Sequence, residues 1–134
     1  MKKILILIMF CCFCNIAYAI DNVEDSVSYI AKALRKGDYY KNQGLYDNAI
    51  IWYQRAAEER ERLYGTSGYI PADIADTYLL KGNCSKPFDL YNQALKNVTK
   101  ENFANLEWAA PRIQYKTEEA QQYCAQYVWS RSRR

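Results

Sequence analysis

Few side chains in this chain could carry covalent or acid–base chemistry. Its 134 residues include five cysteines and no histidine. Cys11, Cys12 and Cys14 lie in an apolar N-terminal run, so only Cys84 and Cys124 remain beyond it. Two cysteines allow a single intramolecular pairing and are too few for a structural zinc site of the usual ligand type. We therefore predict a disulfide between Cys84 and Cys124.

The carboxylates are the remaining candidates for general-base chemistry. Asp73 with Asp76 and Glu118 with Glu119 are candidate pairs. Asp73 and Asp76 lie near a predicted helix start, where acidic residues are favoured by the helix dipole without any catalytic role. The sequence has no phosphate-binding glycine loop, nucleophile elbow or metal-ligand motif. We therefore predict a protein that is not an enzyme and that binds no metal or cofactor.

The N-terminus predicts export. Two lysines precede an apolar run over residues 4–13, and Ala17 and Ala19 form an A-x-A cleavage signal. We interpret residues 1–19 as a signal peptide and residues 20–134 as the mature domain. The apolar run is shorter than the roughly 20 residues that span a bilayer, so no stable membrane insertion is expected. The expected location is the bacterial periplasm or the exterior, where disulfides form.

Charge gives little indication of a partner. Lys and Arg exceed Asp and Glu by 18 to 15, a net charge of +3. Removal of the two signal-peptide lysines leaves about +1, so no attraction to nucleic acid is predicted. The basic tail over residues 130–134 is interpreted as a solvated end. Its alternative role is attraction to an anionic surface or an acidic partner.

Apolar residues recur at helical spacing along most of the mature domain, which predicts an all-α protein. Pro111 is expected to interrupt the pattern, because proline lacks a backbone donor and disfavours helical geometry at Ala110. Ser85 is predicted to be the N-cap of the fourth helix. Six helices are expected, at about 22–43, 46–63, 72–81, 86–98, 100–109 and 111–129.

Small and aromatic residues recur along the chain with a period of about 38 residues. Small residues at fixed offsets let antiparallel helices approach closely, while the tyrosines fill the space beside them. The pattern therefore predicts stacked helical hairpins. The first set is Gly37, Tyr40, Gly44, Ala49, Tyr53 and Ala56, and the second is Ala75, Tyr78, Gly82, Pro87, Tyr91 and Ala94.

Two motifs in the first unit carry a family resemblance. The run GLYDNAI resembles the turn and second-helix start of a tetratricopeptide repeat, and WYQRAAE resembles the end of a Sel1-like repeat. The second unit departs at Pro87, where the family usually has alanine. The resemblance covers about two units, residues 31–98. It implies an α-solenoid of stacked antiparallel helical hairpins, which residues 100–129 would close as a capping hairpin.

The resemblance also implies a binding surface, the concave face lined by the first helix of each hairpin. The function implied is an exported protein-interaction module, an adaptor or accessory subunit of an envelope or secretion assembly that binds a peptide or another protein. An immunity or inhibitor protein that occludes a secreted toxin or hydrolase is equally compatible with these residues. The face would present Asp38, Lys41 and Asn42 from the first unit and Tyr69, Asp76, Leu79 and Leu80 from the second.

Overall fold

The chain is all-helical in the part that the structure describes. The computed structural model describes residues 2–101 and 107–133, with side chains from residue 22 onward except that of Trp129. No strand occurs among these residues, so the all-α prediction is confirmed. The five helices are α1 (Lys2–Asn42), α2 (Tyr46–Tyr64), α3 (Ile70–Leu80), α4 (Pro87–Lys100) and α5 (Ala109–Ser132).

Each helix packs mainly against the helices before and after it in the chain. Two clusters of buried side chains result, one joining α1, α2 and α3 and the other joining α3, α4 and α5. The short helix α3 belongs to both clusters. Ile70 and Ile74 contribute to the first, whereas Ala72 and Ala75 contribute to the second. Because both clusters hold α3, the side chains on its remaining face have fixed positions.

The first and third helices end in the same type of turn. Gly44 and Gly82 have φ values of +73° and +81°, the left-handed conformation that favours glycine. The residue after Gly44 donates its N–H to the Tyr40 carbonyl at 2.9 Å, and the residue after Gly82 donates to the Tyr78 carbonyl at 2.9 Å. Each turn reverses the chain into the following helix.

The alanines of the repeated pattern are packed in the core. Ala49, Ala56 and Ala94 are fully buried, and so is the Tyr53 side chain. A Cβ atom added at Gly37 would lie 2.5 Å from a ring carbon of Tyr53. Glycine at this position therefore allows the Tyr53 ring to lie directly on α1.

Two predicted helix starts were wrong for local reasons. The fourth helix is not capped by Ser85, because the Asn83 side-chain oxygen accepts the N–H groups of Ser85 and Lys86 at 2.9 and 3.2 Å. Helix α4 then begins at Pro87. The last helix begins at Ala109, and Pro111 lies in its first turn. Proline is tolerated there because first-turn N–H groups have no partner within the helix.

The N-terminal boundary also differs from the prediction, and the count of six helices stays a prediction. Helix α1 begins at Lys2 and not near residue 22, so its range includes the apolar run. The signal peptide over residues 1–19 stays a prediction. Of the helix predicted at 100–109, residues 102–106 lie outside the described part of the chain, while Lys100 ends α4 and Ala109 begins α5. The described residues contain five helices.

Candidate functional site

A groove of about 480 Å³ lies beside α3, between the end of α1, the first half of α4 and the middle of α5. We term it the α3 groove. It is an open depression on the surface, so a bound chain could enter it without any opening of the core. Its walls are formed by Lys41, Asp76, Leu79, Leu80, Tyr91, Lys116, Glu119, Ala120 and Tyr123.

The groove brings together four of the seven residues predicted for partner binding, namely Lys41, Asp76, Leu79 and Leu80. The other three lie outside its lining. Asp38 accepts a hydrogen bond from the Tyr53 hydroxyl at 2.5 Å and forms an ion pair with Lys41 at 3.7 Å. Asn42 is exposed at the end of α1, and Tyr69 packs on the Trp108 ring with 5.4 Å between centroids.

Asp76 is the polar centre of the groove. It accepts a hydrogen bond from the Tyr91 hydroxyl at 2.6 Å and pairs with the ammonium group of Lys116 on α5. Burial raises the pKa of Tyr91 well above its usual value, and the hydrogen bond to Asp76 raises it further. Tyr91 therefore remains a protonated donor. The Asp76 carboxylate links α3, α4 and α5 through these two contacts.

The same arrangement occurs in the first half of the chain. The pKa of Tyr53 is also raised well above its usual value, first by burial and then by its hydrogen bond to Asp38. Tyr53 and Asp38 stand at the same offsets in the first unit as Tyr91 and Asp76 in the second. The first unit draws its cation, Lys41, from its own helix, whereas Asp76 takes its cation from α5.

The rim of the groove is apolar. Leu80 is 56% exposed and Tyr123 is 46% exposed, although both are large hydrophobic side chains. Leu79 is half-buried beside them, and Ala120 is buried at the base. An exposed apolar rim around a paired charge cluster is typical of binding surfaces, because the apolar area gains from desolvation and the polar groups fix orientation.

Sequence reasoning missed the α5 side of the groove. Lys116, Glu119, Ala120 and Tyr123 fall on one face of α5, with the spacing of successive helical turns. That spacing shows only that they share a face. Their position opposite α3 depends on the buried contacts of Ile113, which belong to the tertiary fold.

The predicted disulfide is confirmed. Cys84 in the α3–α4 connection is bonded to Cys124 in α5, with 5.8 Å between the Cα atoms. The bond fixes the α5 wall beside the end of α3, where Leu80 forms the rim. A disulfide is compatible with an oxidising, exported environment.

Comparison with protein-family models, curated proteins and solved structures gave no match for this chain. Within the described residues, no helix combines the length and apolar character that a membrane crossing needs. In the same part of the chain, no three histidine, cysteine, aspartate or glutamate side chains are grouped as metal ligands. The α3 groove and its surroundings are therefore the main source of functional information.

Asp73 adds an unusual charge next to the groove, one turn before Asp76 on α3. Burial raises the pKa of the Asp73 carboxyl to about 6. The positive charges of Lys41 and Lys116 lower it, while the negative charges of Asp76 and Asp38 raise it. The burial effect is the largest of these causes. At neutral pH the ionised Asp73 carboxylate therefore lowers the stability of the folded state.

We expect Asp73→Asn to increase the free energy of unfolding at pH 7.5 by roughly 2 kcal/mol. The folded-state pKa of Asp73 is above its unfolded value, so its contribution is present at acid pH and is lost as pH rises through about 6. Urea unfolding of wild type and variant from pH 4 to pH 7.5 measures this. Asp89→Asn, an exposed first-turn substitution in α4, is the control. Equal pH dependence in wild type and Asp73→Asn would contradict the prediction.

Proposed function

We propose that this protein is an exported protein-interaction module that holds a peptide, or a segment of a partner protein, in the α3 groove. Its role is that of an adaptor or accessory subunit of an envelope or secretion assembly. The observation that carries the proposal is the convergence of Lys41, Asp76, Leu79 and Leu80, all predicted for binding, with the α5 wall in a single groove.

The size and chemistry of the groove suit a peptide. A volume of about 480 Å³ is within the range of sites that take small ligands or a few side chains. Leu80 and Tyr123 would pack against an apolar side chain of the partner. Glu119, on the exposed face of α5, would contact its polar or basic groups. Asp76 and Lys116 already neutralise each other, which favours recognition by shape and apolar contact over catalysis.

The paired halves of the chain support a relation to tetratricopeptide or Sel1-like repeats. The Tyr53 to Asp38 and Tyr91 to Asp76 hydrogen bonds stand at equivalent offsets, as do the Gly44 turn and its counterpart in the second half. In this interpretation, α1 and α3 are the first helices of two units and α5 begins a third, terminal element. These first helices then share the face on which the groove lies.

The test is capture of a partner by wild-type and groove-altered protein. The groove variant is Leu80→Asp with Glu119→Arg, and the matched control is Ile51→Asp with Glu58→Arg, the same changes at exposed positions of α2. Tagged proteins recover partners from periplasmic extract, which mass spectrometry identifies. Titration calorimetry should then show affinity lowered by at least about tenfold for the groove variant alone.

The outcomes separate the alternatives. Loss of the partner with the control, or retention with the groove variant, would contradict a binding role for the α3 groove. Circular dichroism melts of both variants establish that they remain folded. A captured toxin or hydrolase whose activity falls on binding would assign the protein as an immunity or inhibitor protein, whereas a captured envelope or secretion component would assign an adaptor role.

A further inference from the structure

A second cleft lies on the outer side of α1, where α1 meets α2, and has a volume of about 450 Å³. We term it the α1–α2 cleft. Its residues lie on the side of α1 opposite Lys41, which lines the α3 groove. The two sites therefore open on different faces of the protein. The α1–α2 cleft is lined by Tyr29, Lys32, Ala33, Arg35, Lys36, Tyr39 and Trp52.

The cleft carries positive charge without a counterion. Lys32, Arg35 and Lys36 line it, and Arg55 stands at its edge beside Trp52. None of these four cations pairs with a carboxylate in the described part of the chain, whereas Arg60 and other cations elsewhere do. Among the residues that the structure describes, no acidic side chain lines the cleft. A concave surface with uncompensated positive charge attracts an anionic ligand.

Trp52 holds part of this charge in place. The Lys36 ammonium lies 4.1 Å from the Trp52 ring centroid, and the Arg55 guanidinium lies 4.7 Å from it. Cation–π contacts fix these side chains without neutralising them. Tyr39, which is 62% exposed, and Tyr29 add aromatic surface beside the cations. The cleft therefore presents oriented cations next to exposed rings.

The shape and surroundings of the cleft favour a protein chain over a membrane. A cleft between two helices accommodates an extended or helical segment, whereas a bilayer presents a flat surface. The carboxylates of Asp25 and Glu58 line the adjoining depression, which shares Tyr29 and Arg55 with this region. A flat anionic membrane would meet those carboxylates as well as the cations, but a narrow acidic segment would avoid them.

We propose that the α1–α2 cleft is a second binding site, for an acidic segment of a partner protein. Carboxylates of the segment pair with Lys32, Arg35 and Lys36, and its apolar side chains pack on Tyr29 and Tyr39. The proposal does not depend on occupancy of the α3 groove. With both sites occupied, the protein would hold two segments on different faces.

The test uses fluorescence anisotropy with a labelled peptide of alternating glutamate and alanine, against the full chain expressed for export. The charge variant is Lys32→Glu with Lys36→Glu. The matched control is Lys96→Glu with Lys100→Glu, the same net change at exposed positions of α4. We expect the charge variant to weaken peptide binding by about tenfold or more, and wild-type binding to weaken with salt. A lysine–alanine peptide should not bind.

Further measurements distinguish recognition of the peptide from attraction to net charge. Tyr39→Ser, at an exposed position, should weaken the peptide severalfold without changing the melting temperature, because it removes packing surface but no charge. Equal weakening by both lysine variants would indicate attraction to net charge only and would overturn the proposal. Absence of peptide binding would also overturn it. Binding to phosphatidylglycerol vesicles that the peptide does not compete for, lost only in the charge variant, would assign the cleft to a membrane surface instead.

Discussion

We expect Glu101→Ala to lower the free energy of unfolding by about 3 kcal/mol or more, because it leaves the Arg60 charge without its partner. The Glu101 side chain is only 4% exposed and that of Arg60 is 20% exposed. Their two hydrogen bonds are 2.7 and 2.9 Å long, and Arg60 also donates to the Thr66 carbonyl at 2.8 Å. The pair therefore joins α2, the loop before α3 and the end of α4.

The control is the exposed pair of Arg62 and Glu59. Its arginine side chain is 64% exposed, so solvent screens the pair and Glu59→Ala should lower the free energy of unfolding much less than Glu101→Ala does. Urea unfolding at pH 7 compares the two variants. Equal losses would mean that the Arg60–Glu101 pair is no more important than a surface ion pair. A double variant, Arg60→Met with Glu101→Leu, should recover part of the loss because it leaves no unpaired buried charge.

The Arg60–Glu101 pair also predicts a pH dependence. The hydrogen bonds from Arg60 lower the pKa of Glu101 below its usual value, more than burial raises it. Its contribution is therefore present above the unfolded-state pKa and is lost as pH falls through the lower folded-state pKa. Wild type should lose more stability than Glu101→Ala when the pH is lowered through the acid range.

The sequence predicted the parts of the fold that depend on local periodicity. Ala49, Ala56, Tyr53 and Tyr91 recur at helical and repeat spacing, and all four are buried. A small residue at helical spacing predicts a close helix contact, whichever helix makes that contact. The all-α class and most helix positions were predicted from this spacing.

Helix boundaries were less predictable because several local solutions compete. Asn83 and Ser85 are both residue types that can cap a following helix. Only the structure shows that the Asn83 side-chain oxygen accepts the N–H groups of Ser85 and Lys86. Pro111 was expected to separate two helices, but proline is equally suited to a first turn. Residue propensities differ little between such alternatives, so tertiary packing decides which one forms.

The groove was predictable only on its α1 and α3 sides, where Lys41 on α1 also came from the repeat resemblance. Asp76, Leu79 and Leu80 came from the repeat resemblance, which places them on the first helix of a unit. Lys116 and Tyr123 come from a helix that no repeat pattern covered. Their approach to α3 depends on side-chain packing across about 40 residues of sequence, which periodicity within one helix does not encode.

The second large effect concerns the disulfide. We expect Cys84→Ser with Cys124→Ala to lower the free energy of unfolding by about 4 kcal/mol, because the bond closes a loop with a sequence separation of 40. Alanine is used at Cys124 because that side chain is buried and a serine there would add an unpaired hydroxyl. Chemical denaturation of wild type, reduced wild type and the variant measures the effect. Reduced wild type should resemble the variant.

The loss should extend to binding, because Cys124 holds the α5 wall of the α3 groove in place. Partner affinity should fall in the disulfide variant although Leu80, Asp76 and Lys116 are unchanged, whereas affinity at the α1–α2 cleft should not. Thiol labelling of the denatured, unreduced protein, expressed for export, should find no free Cys84 or Cys124. Two labelled thiols per chain would contradict the bond and remove the main support for an oxidising location. Unchanged affinity in a destabilised variant would instead show that α5 docks on α3 by side-chain packing alone.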